Sequence, residues 1–272
     1  MKIDVMVACG RNSLPYTQFM IDTIQHTADK DTKFRFLLGI NDTPEYLNMA
    51  KHISSKYEIA IIDCITRGEY SLGHGEALDI LSEHIESEYS LIVDCDIAFL
   101  CKDWDKIVIE KMQDNIVVVG SEYDPFQKRG PYKYKNFPNV VTCLIKSNVI
   151  AENNISFKPN DKNRILNIDE TNSDIYQNPA GSQVDLDTGW EMCYKLKSNG
   201  YNGISTNMRR KSAGHDCLFL QEGTRGEEHQ LDGKVLWSHA GRSFTRDFNT
   251  HPKALNWRKN VEWWFTNKHF IQ

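Results

Sequence analysis

The order of apolar runs in the first 120 residues constrains the fold of this chain more than any other feature. Short runs of strand length alternate with stretches whose apolar residues recur at helical spacing. Ile3 to Cys9 ends at Gly10, a strand feeding a turn. Tyr16 to Thr27 then carries Phe19, Met20 and Ile24 on one helical face. Phe34 to Ile40 reads as a second strand, closed by the turn-prone Asn41-Asp42-Thr43-Pro44 and followed by a helix around Glu45 to Ser55. Glu58 to Cys64 is a third strand, and Gly75 to Ile85 a helix with Ala77, Leu78, Leu81 and Ile85 together. Tyr89 to Val93 is a strand of the buried type, then Trp104 to Met112 a helix and Ile116 to Gly120 a strand. Strand–helix units in series predict an α/β fold: a mainly parallel central sheet with helices on both faces. Ligands of such sheets lie beyond the carboxyl ends of the strands, where Gly10, Asn41, Asp63 and Asp94 fall.

The second half is less regular. Segments 124–138 and 153–179 read as long surface loops, Gln183 to Asn199 as a helix stopped by Gly200, and Lys234 to His239 as a strand. A Trp-rich helix with Trp257, Trp263, Trp264, Phe265 and Phe270 closes the chain. No repeat or linker divides the sequence, so residues 1–272 are expected to form a single domain. A net charge of −5 argues against tight nonspecific nucleic-acid binding, which depends on Lys and Arg neutralising phosphates. No run approaches the roughly 20 apolar residues that span a bilayer. The seven cysteines are odd in number, scattered, and without a C-x-x-C pair. Together these features predict a soluble protein of a reducing, cytoplasmic compartment.

Asp94-Cys95-Asp96 is the sharpest chemical signal. On extended backbone, residues two apart point to the same side, so the pair is expected to present two carboxylates to one spot at a strand end. Their repulsion is relieved by a divalent cation, and oxygen ligands suit Mg²⁺ or Mn²⁺, which also bridge phosphates. The plainer alternative is a polar turn capping a following helix.

Gly73-His74-Gly75-Glu76-Ala77-Leu78-Asp79, followed by Ser90-Leu91-Ile92-Val93-Asp94-Cys95-Asp96, resembles the nucleotide-sugar half of GT-A fold glycosyltransferases, and is most similar to the broad family 2 group. The opening Val5-Met6-Val7-Ala8-Cys9-Gly10-Arg11-Asn12 resembles their first strand and turn. The resemblance implies a Rossmann-like GT-A sheet, with residues 1–120 as the nucleotide-sugar-binding half and 121–272 as the acceptor-binding half. It implies a nucleoside diphosphate sugar as donor (read as a UDP-sugar), Mn²⁺ or Mg²⁺ as cofactor, and a glycan or other hydroxyl as acceptor. Asp94 would contact the ribose or the metal, and Asp96 the metal. Ala8, Gly10 and Arg11 would lie along the nucleoside, Asn41 or Asp42 near the base, and Gly73 and His74 at a helix entrance touching the nucleotide. His74 stands where a basic residue is often found.

Two later segments gain roles from the same resemblance. Asp185-Leu186-Asp187-Thr188-Gly189-Trp190 opens a helix, where inverting members place the general base; Asp187 is the candidate and Asp185 the reserve. Aspartate is equally favoured there as an N-cap. In Trp237-Ser238-His239-Ala240-Gly241-Arg242, His239 is the candidate further metal ligand, with His215 as runner-up. Lys128 to Lys135 interleaves basic and aromatic residues, and Met208-Arg209-Arg210-Lys211 adds positive charge; both suit sugar or phosphate contacts, or ordinary solvated loops. A nucleotidyltransferase and a noncatalytic glycan- or nucleic-acid-binding module are the competing readings. Phosphate-loop, G-x-G-x-x-G, G-x-S-x-G and H-E-x-x-H motifs do not occur.

Overall fold

The computed structural model describes residues 1–10, 13–40, 57–64, 66, 70–122, 133–134, 137–159, 175–176, 187–241 and 247–267. The alternation runs as the apolar pattern predicts through β1 (Lys2–Cys9), α1 (Leu14–Thr27), β2 (Lys33–Ile40), β3 (Ile59–Asp63), α2 (Tyr70–Ser82) and β4 (Tyr89–Val93). The helix expected over 45–55 lies outside the described residues. The chain continues through β5 (Ile97–Phe99), α3 (Trp104–Glu110), β6 (Ile116–Gly120), β7 (Lys133–Tyr134), β8 (Thr142–Lys146), α4 (Ser147–Glu152) and β9 (Ile175–Tyr176). Then come α5 (Trp190–Ser198), β10 (Asn202–Ser205), β11 (Asn207–Arg209), β12 (Glu227–Leu231), β13 (Lys234–His239) and α6 (Pro252–Asn267).

Seven strands form the main sheet in the order β10-β6-β8-β4-β1-β2-β3. Only β8 runs antiparallel, to β4 on one side and β6 on the other. The remaining pairings are parallel. Alternate residues of the central strands feed two separate cores. Ile3, Val5 and Val7 of β1, with Phe36 and Leu38 of β2, pack with α1, α3 and α6. Met6, Leu37 and Ile92 face the other way and pack with α2, α4 and α5. Burial on both faces is why these strands read as unbroken apolar runs.

Three residues after β4, the chain leaves this sheet and enters a second one, antiparallel and ordered β11-β12-β13-β5. Of its strands the sequence announced β13 alone, where Lys234 to His239 was expected; β12 is Glu-Glu-His-Gln-Leu, without apolar periodicity. Its buried polar side chains find partners inside the protein: Glu228 accepts the backbone N–H groups of Leu218, Phe219 and Leu220 at 2.8 to 3.0 Å. Trp257 of α6 is buried and donates its indole N–H to Ser238 Oγ at 3.0 Å, so the Trp-rich helix packs against the back of β13. No helix among the described residues is long and apolar enough to cross a membrane.

α2 begins five residues earlier than the apolar spacing predicts, and Gly75 lies inside it. A crossing segment accounts for glycine inside the helix: a Cβ at Gly75 would stand 2.6 Å from both Lys158 Cα and Phe157 O. Asp79, one turn on, accepts the Phe157 N–H at 2.6 Å and the Ser156 hydroxyl at 2.7 Å, which pins the crossing. Phe157 O in turn accepts the N–H of Gly189 at 2.8 Å. The start of α5 is thereby tied to α2.

At the other end of the sheet, buried Asp4 clamps the amino ends of β1 and β2. It accepts Arg35 Nε at 2.8 Å and Nη2 at 3.0 Å, and the backbone N–H groups of Glu86 and Ser87 at 2.6 and 2.8 Å. Burial alone would raise its carboxyl, but these donors hold it below the ordinary value. Asp4→Ala leaves the two amides and the Nε and Nη2 donors of Arg35 without that acceptor, and is expected to cost about 3 kcal/mol in denaturant unfolding. A depressed folded value means the stabilisation is complete above about pH 4 and is lost as pH falls through the folded value. Unfolding midpoints measured across that range should therefore converge for wild type and variant in acid.

Candidate active site and metal centre

Asp94, Cys95 and Asp96 form a turn between β4 and β5, not the extended strand end that the spacing suggested. The backbone is nonetheless held from both sides: Asp94 N–H donates to Val141 O at 2.8 Å, and Asp96 O accepts the Ala240 N–H at 3.0 Å. No helix follows directly, so the helix-capping alternative for this pair does not apply. Cys95 turns into the core while Asp94 stays half-buried and Asp96 is buried.

The second sheet brings in His239. It lies on β13 directly opposite Ile97 of β5 on one side and Glu227 of β12 on the other. Cross-strand partners stand within about 5.5 Å, so this register alone sets an imidazole between a carboxylate and the D-x-D turn. His239 Nε2 is 3.3 Å from Asp96 Oδ1, and His239 Nδ1 is 3.3 Å from Glu227 Oε2. One ligand atom each from Asp94, Asp96 and His239 falls within 4.8 Å of the others. Gly241, just beyond, has φ of +69°, a left-handed conformation suited to glycine that turns the chain after the histidine.

Two further residues join from the opposite side. His74, in the second turn of α2 and not at a helix entrance, places Nε2 at 3.5 Å from Asp94 Oδ1. Asp187 lies ahead of α5, whose cap position is taken by Gly189 at φ of +77°. Its Oδ1 accepts its neighbour Thr188 N–H at 3.0 Å and the Ser71 hydroxyl at 3.4 Å, so the carboxylate leans toward α2 and does not cap α5. Thr188 Oγ1 donates to Ser71 O at 2.9 Å and closes the same joint.

The electrostatics of the group point one way. Burial pushes the Asp94 carboxyl up to about 6, and the carboxylates of Asp96 and Asp187 add to the rise against the pull of His74 and His239. Burial would lower His239, but Asp96 and Glu227 hold its imidazole well above the ordinary value. Burial would likewise raise Glu227, yet the two histidines beside its carboxylate keep it well below the usual carboxylate range. The Asp96 and Glu227 carboxylates therefore flank a protonated His239, an arrangement in which a divalent ion could replace the proton's charge.

Among the remaining predicted residues, Ala8 lies on β1 beside β4, and Gly10 is exposed just past the carboxyl end of β1. Gly73 sits in the first turn of α2. Arg11, Asn41, Asp42 and Asp185 lie outside the described residues, as does most of the basic-aromatic segment 128–135. His215 is elsewhere: its Nδ1 accepts the Arg210 N–H at 3.0 Å in a turn after β11. Of the basic run 209–211, Arg210 is paired with Glu227, and Lys211 reaches Glu222 at 4.0 Å. Glu227 was missed by sequence reasoning. It belongs to a Glu-Glu pair on a strand without apolar periodicity, and its value depends wholly on the β12–β13 register.

No protein-family model matches the sequence, and no curated protein does. Among solved structures, the chain is similar to the mannosyltransferase PcManGT from Pyrobaculum calidifontis in complex with GDP-Man and Mn²⁺. The identity is 14% and the TM-score 0.49, over 75% of this chain and 54% of that one. It is similar to S. aureus TarS 1-349 in complex with UDP-GlcNAc at 16% identity and a TM-score of 0.41, over 58% of this chain and 48% of that one. The galactosyltransferase LgtC, in complex with donor and acceptor sugar analogs, follows at 17% identity and a TM-score of 0.39, over 53% of this chain and 58% of that one. This chain spans about half the length of the solved structures it matches.

Proposed function

We propose that this chain is a GT-A glycosyltransferase that uses a divalent cation, Mn²⁺ or Mg²⁺. It moves a sugar from a nucleoside diphosphate donor, a UDP-sugar in this reading, to a hydroxyl of a glycan or other acceptor, with inversion. Residues 1–120 hold the donor and 121–272 the acceptor, within one GT-A-like unit. The observation that carries the reading is the convergence of Asp94, Asp96 and His239, with ligand atoms within 4.8 Å of one another at the carboxyl edge of the parallel sheet.

The donor set suits a hard cation: two carboxylates and one imidazole. Ligands at about 2.1 Å from an octahedral metal lie about 3 Å apart when adjacent, close to the 3.3 Å between His239 Nε2 and Asp96 Oδ1. Such a cation supplies Lewis-acid stabilisation of the departing diphosphate. The protein supplies the rest. Ala8 and Gly10 border the nucleoside at the neighbouring strand end, where Gly10 leaves open space around its Cα. His74 positions Asp94 and offers an N–H toward the nucleotide. Asp187 takes the acceptor's proton, and its anchoring through Ser71 and Thr188 fixes the carboxylate at the edge of the acidic cluster.

Isothermal calorimetry of UDP-, GDP- and other nucleoside diphosphate sugars, each with and without Mn²⁺, tests the proposal. One donor is expected to bind more tightly by at least about tenfold when the metal is present, with release of free nucleoside diphosphate on turnover. Equal affinity in both conditions for every donor would sink the metal-dependent reading, and release of pyrophosphate would identify a nucleotidyltransferase.

A further inference from the structure

We propose that Glu227 is a positioning residue for the metal centre: its carboxylate keeps the hydrogen on His239 Nδ1 and so turns the Nε2 lone pair toward the cation shared with Asp94 and Asp96. The proposal rests on the metal-dependent reading above and deepens it.

The geometry is built into the sheet. Glu227 and His239 are directly opposed on antiparallel β12 and β13, and Ile97, next to Asp96, is opposed to His239 on the far side. The two ring nitrogens of an imidazole diverge, so the carboxylate 3.3 Å from Nδ1 and the carboxylate 3.3 Å from Nε2 lie on opposite edges of the ring. Glu227 is therefore placed behind the ligand and not among the ligands. A histidine that binds metal through one nitrogen commonly donates its other N–H to a carboxylate, which fixes both ring orientation and tautomer.

Glu227 is itself immobilised. Its Oε1 is taken by the Arg210 guanidinium. Its Oε2 faces His239 Nδ1 and, at 3.7 Å, His229 Nε2, a charge contact and not a hydrogen bond. His229 is buried and held from behind, its Nδ1 at 3.1 Å from Thr206 Oγ1. The backbone O of Glu227 also accepts the Ser238 hydroxyl at 2.7 Å, which locks the register of the two strands beside His239. A carboxylate confined by an arginine and two histidines has few positions open to it, and this one faces the back of the ligand histidine. A purely structural ion pair with Arg210 would not require the second oxygen to meet His239.

Electron paramagnetic resonance of Mn²⁺, added alone and together with UDP, measures metal affinity. Ring ¹⁵N spectra of His239 with Mg²⁺ read the tautomer, and circular dichroism verifies folding. Glu227→Leu is expected to weaken Mn²⁺ binding by about 10- to 100-fold and to split His239 between tautomers. Glu227→Gln, whose amide oxygen can still accept the Nδ1 hydrogen, should recover most of the affinity and the single tautomer. If Glu227→Leu does not fold, Glu227→Asp decides by the same two readouts, since its shorter side chain withdraws from Nδ1. Wild-type affinity and an unchanged His239 spectrum in the folded variant would overturn the proposal while leaving the metal reading intact. Failure of the wild type to bind Mn²⁺ in either condition, or equal binding by Asp96→Asn, would remove the metal reading and the proposal with it.

Discussion

Replacing Asp96 by asparagine is expected to reduce sugar transfer by about a thousandfold or more, the scale of losing several kcal/mol of charge stabilisation on a departing diphosphate. Asparagine fills the same volume and keeps the backbone of the turn, whose Asp96 O still accepts the Ala240 N–H. It removes the full negative charge that faces His239 Nε2 at 3.3 Å and leaves Asp94 as the one anionic oxygen donor of the three-residue set. Initial rates should be measured across a Mn²⁺ titration, with binding followed in parallel. The variant should show both low turnover and a weak metal response that high Mn²⁺ restores only partly. Turnover at the wild-type rate with the wild-type metal dependence would show that the acidic pair does not hold the catalytic cation.

The second large effect is expected at Asp187. Asp187→Asn should lower the transfer rate by about 10²- to 10⁴-fold, the range for loss of a general base, with donor affinity unchanged. The split follows from the geometry. Both described contacts of the side chain, from Thr188 N–H and Ser71 Oγ, go to Oδ1, and an asparagine oxygen accepts them equally well. Local structure is retained while proton acceptance is lost. Calorimetry of donor binding and single-turnover rates separate the two quantities, and NMR of the product's anomeric proton reports the stereochemistry. A fully active Asp187→Asn protein would take the base role from this residue, and retention at the anomeric carbon would remove inversion from the proposal.

Much of the α/β fold was legible because a strand buried on both faces must be apolar at every position. β1, β2, β4 and β6 are such strands, and their runs stand out between helices with one-sided periodicity. The second sheet, β13 apart, was illegible for the converse reason. β12 buries Glu228, His229 and Gln230, which are tolerated because hydrogen bonds and charge partners replace water, and no one-dimensional pattern encodes that exchange. β8 escaped notice differently: residues 140–145 are apolar enough for a strand, but nothing local states that it runs antiparallel between β4 and β6. Gly75 lies inside α2 and does not open it, because its missing side chain makes room for a backbone crossing from some 80 residues away.

The sequence by itself determined the mainly parallel sheet and the place of Asp94 and Asp96 beyond its fourth strand, because burial and local turn chemistry are properties of short segments. Resemblance to a known fold family added His239 and Asp187 as candidates, without the means to say how they are placed. Only the tertiary structure decided that β13 lies between β5 and β12, so that one imidazole has Asp96 at one nitrogen and Glu227 at the other. It alone decided that the 156–158 crossing brings Asp187 to α2. The physical reason is range: hydrophobic periodicity acts over a few residues, whereas the β5–β13 register and the 156–158 crossing join positions about 80 to 140 apart, and the charges of this site interact only once those are in place.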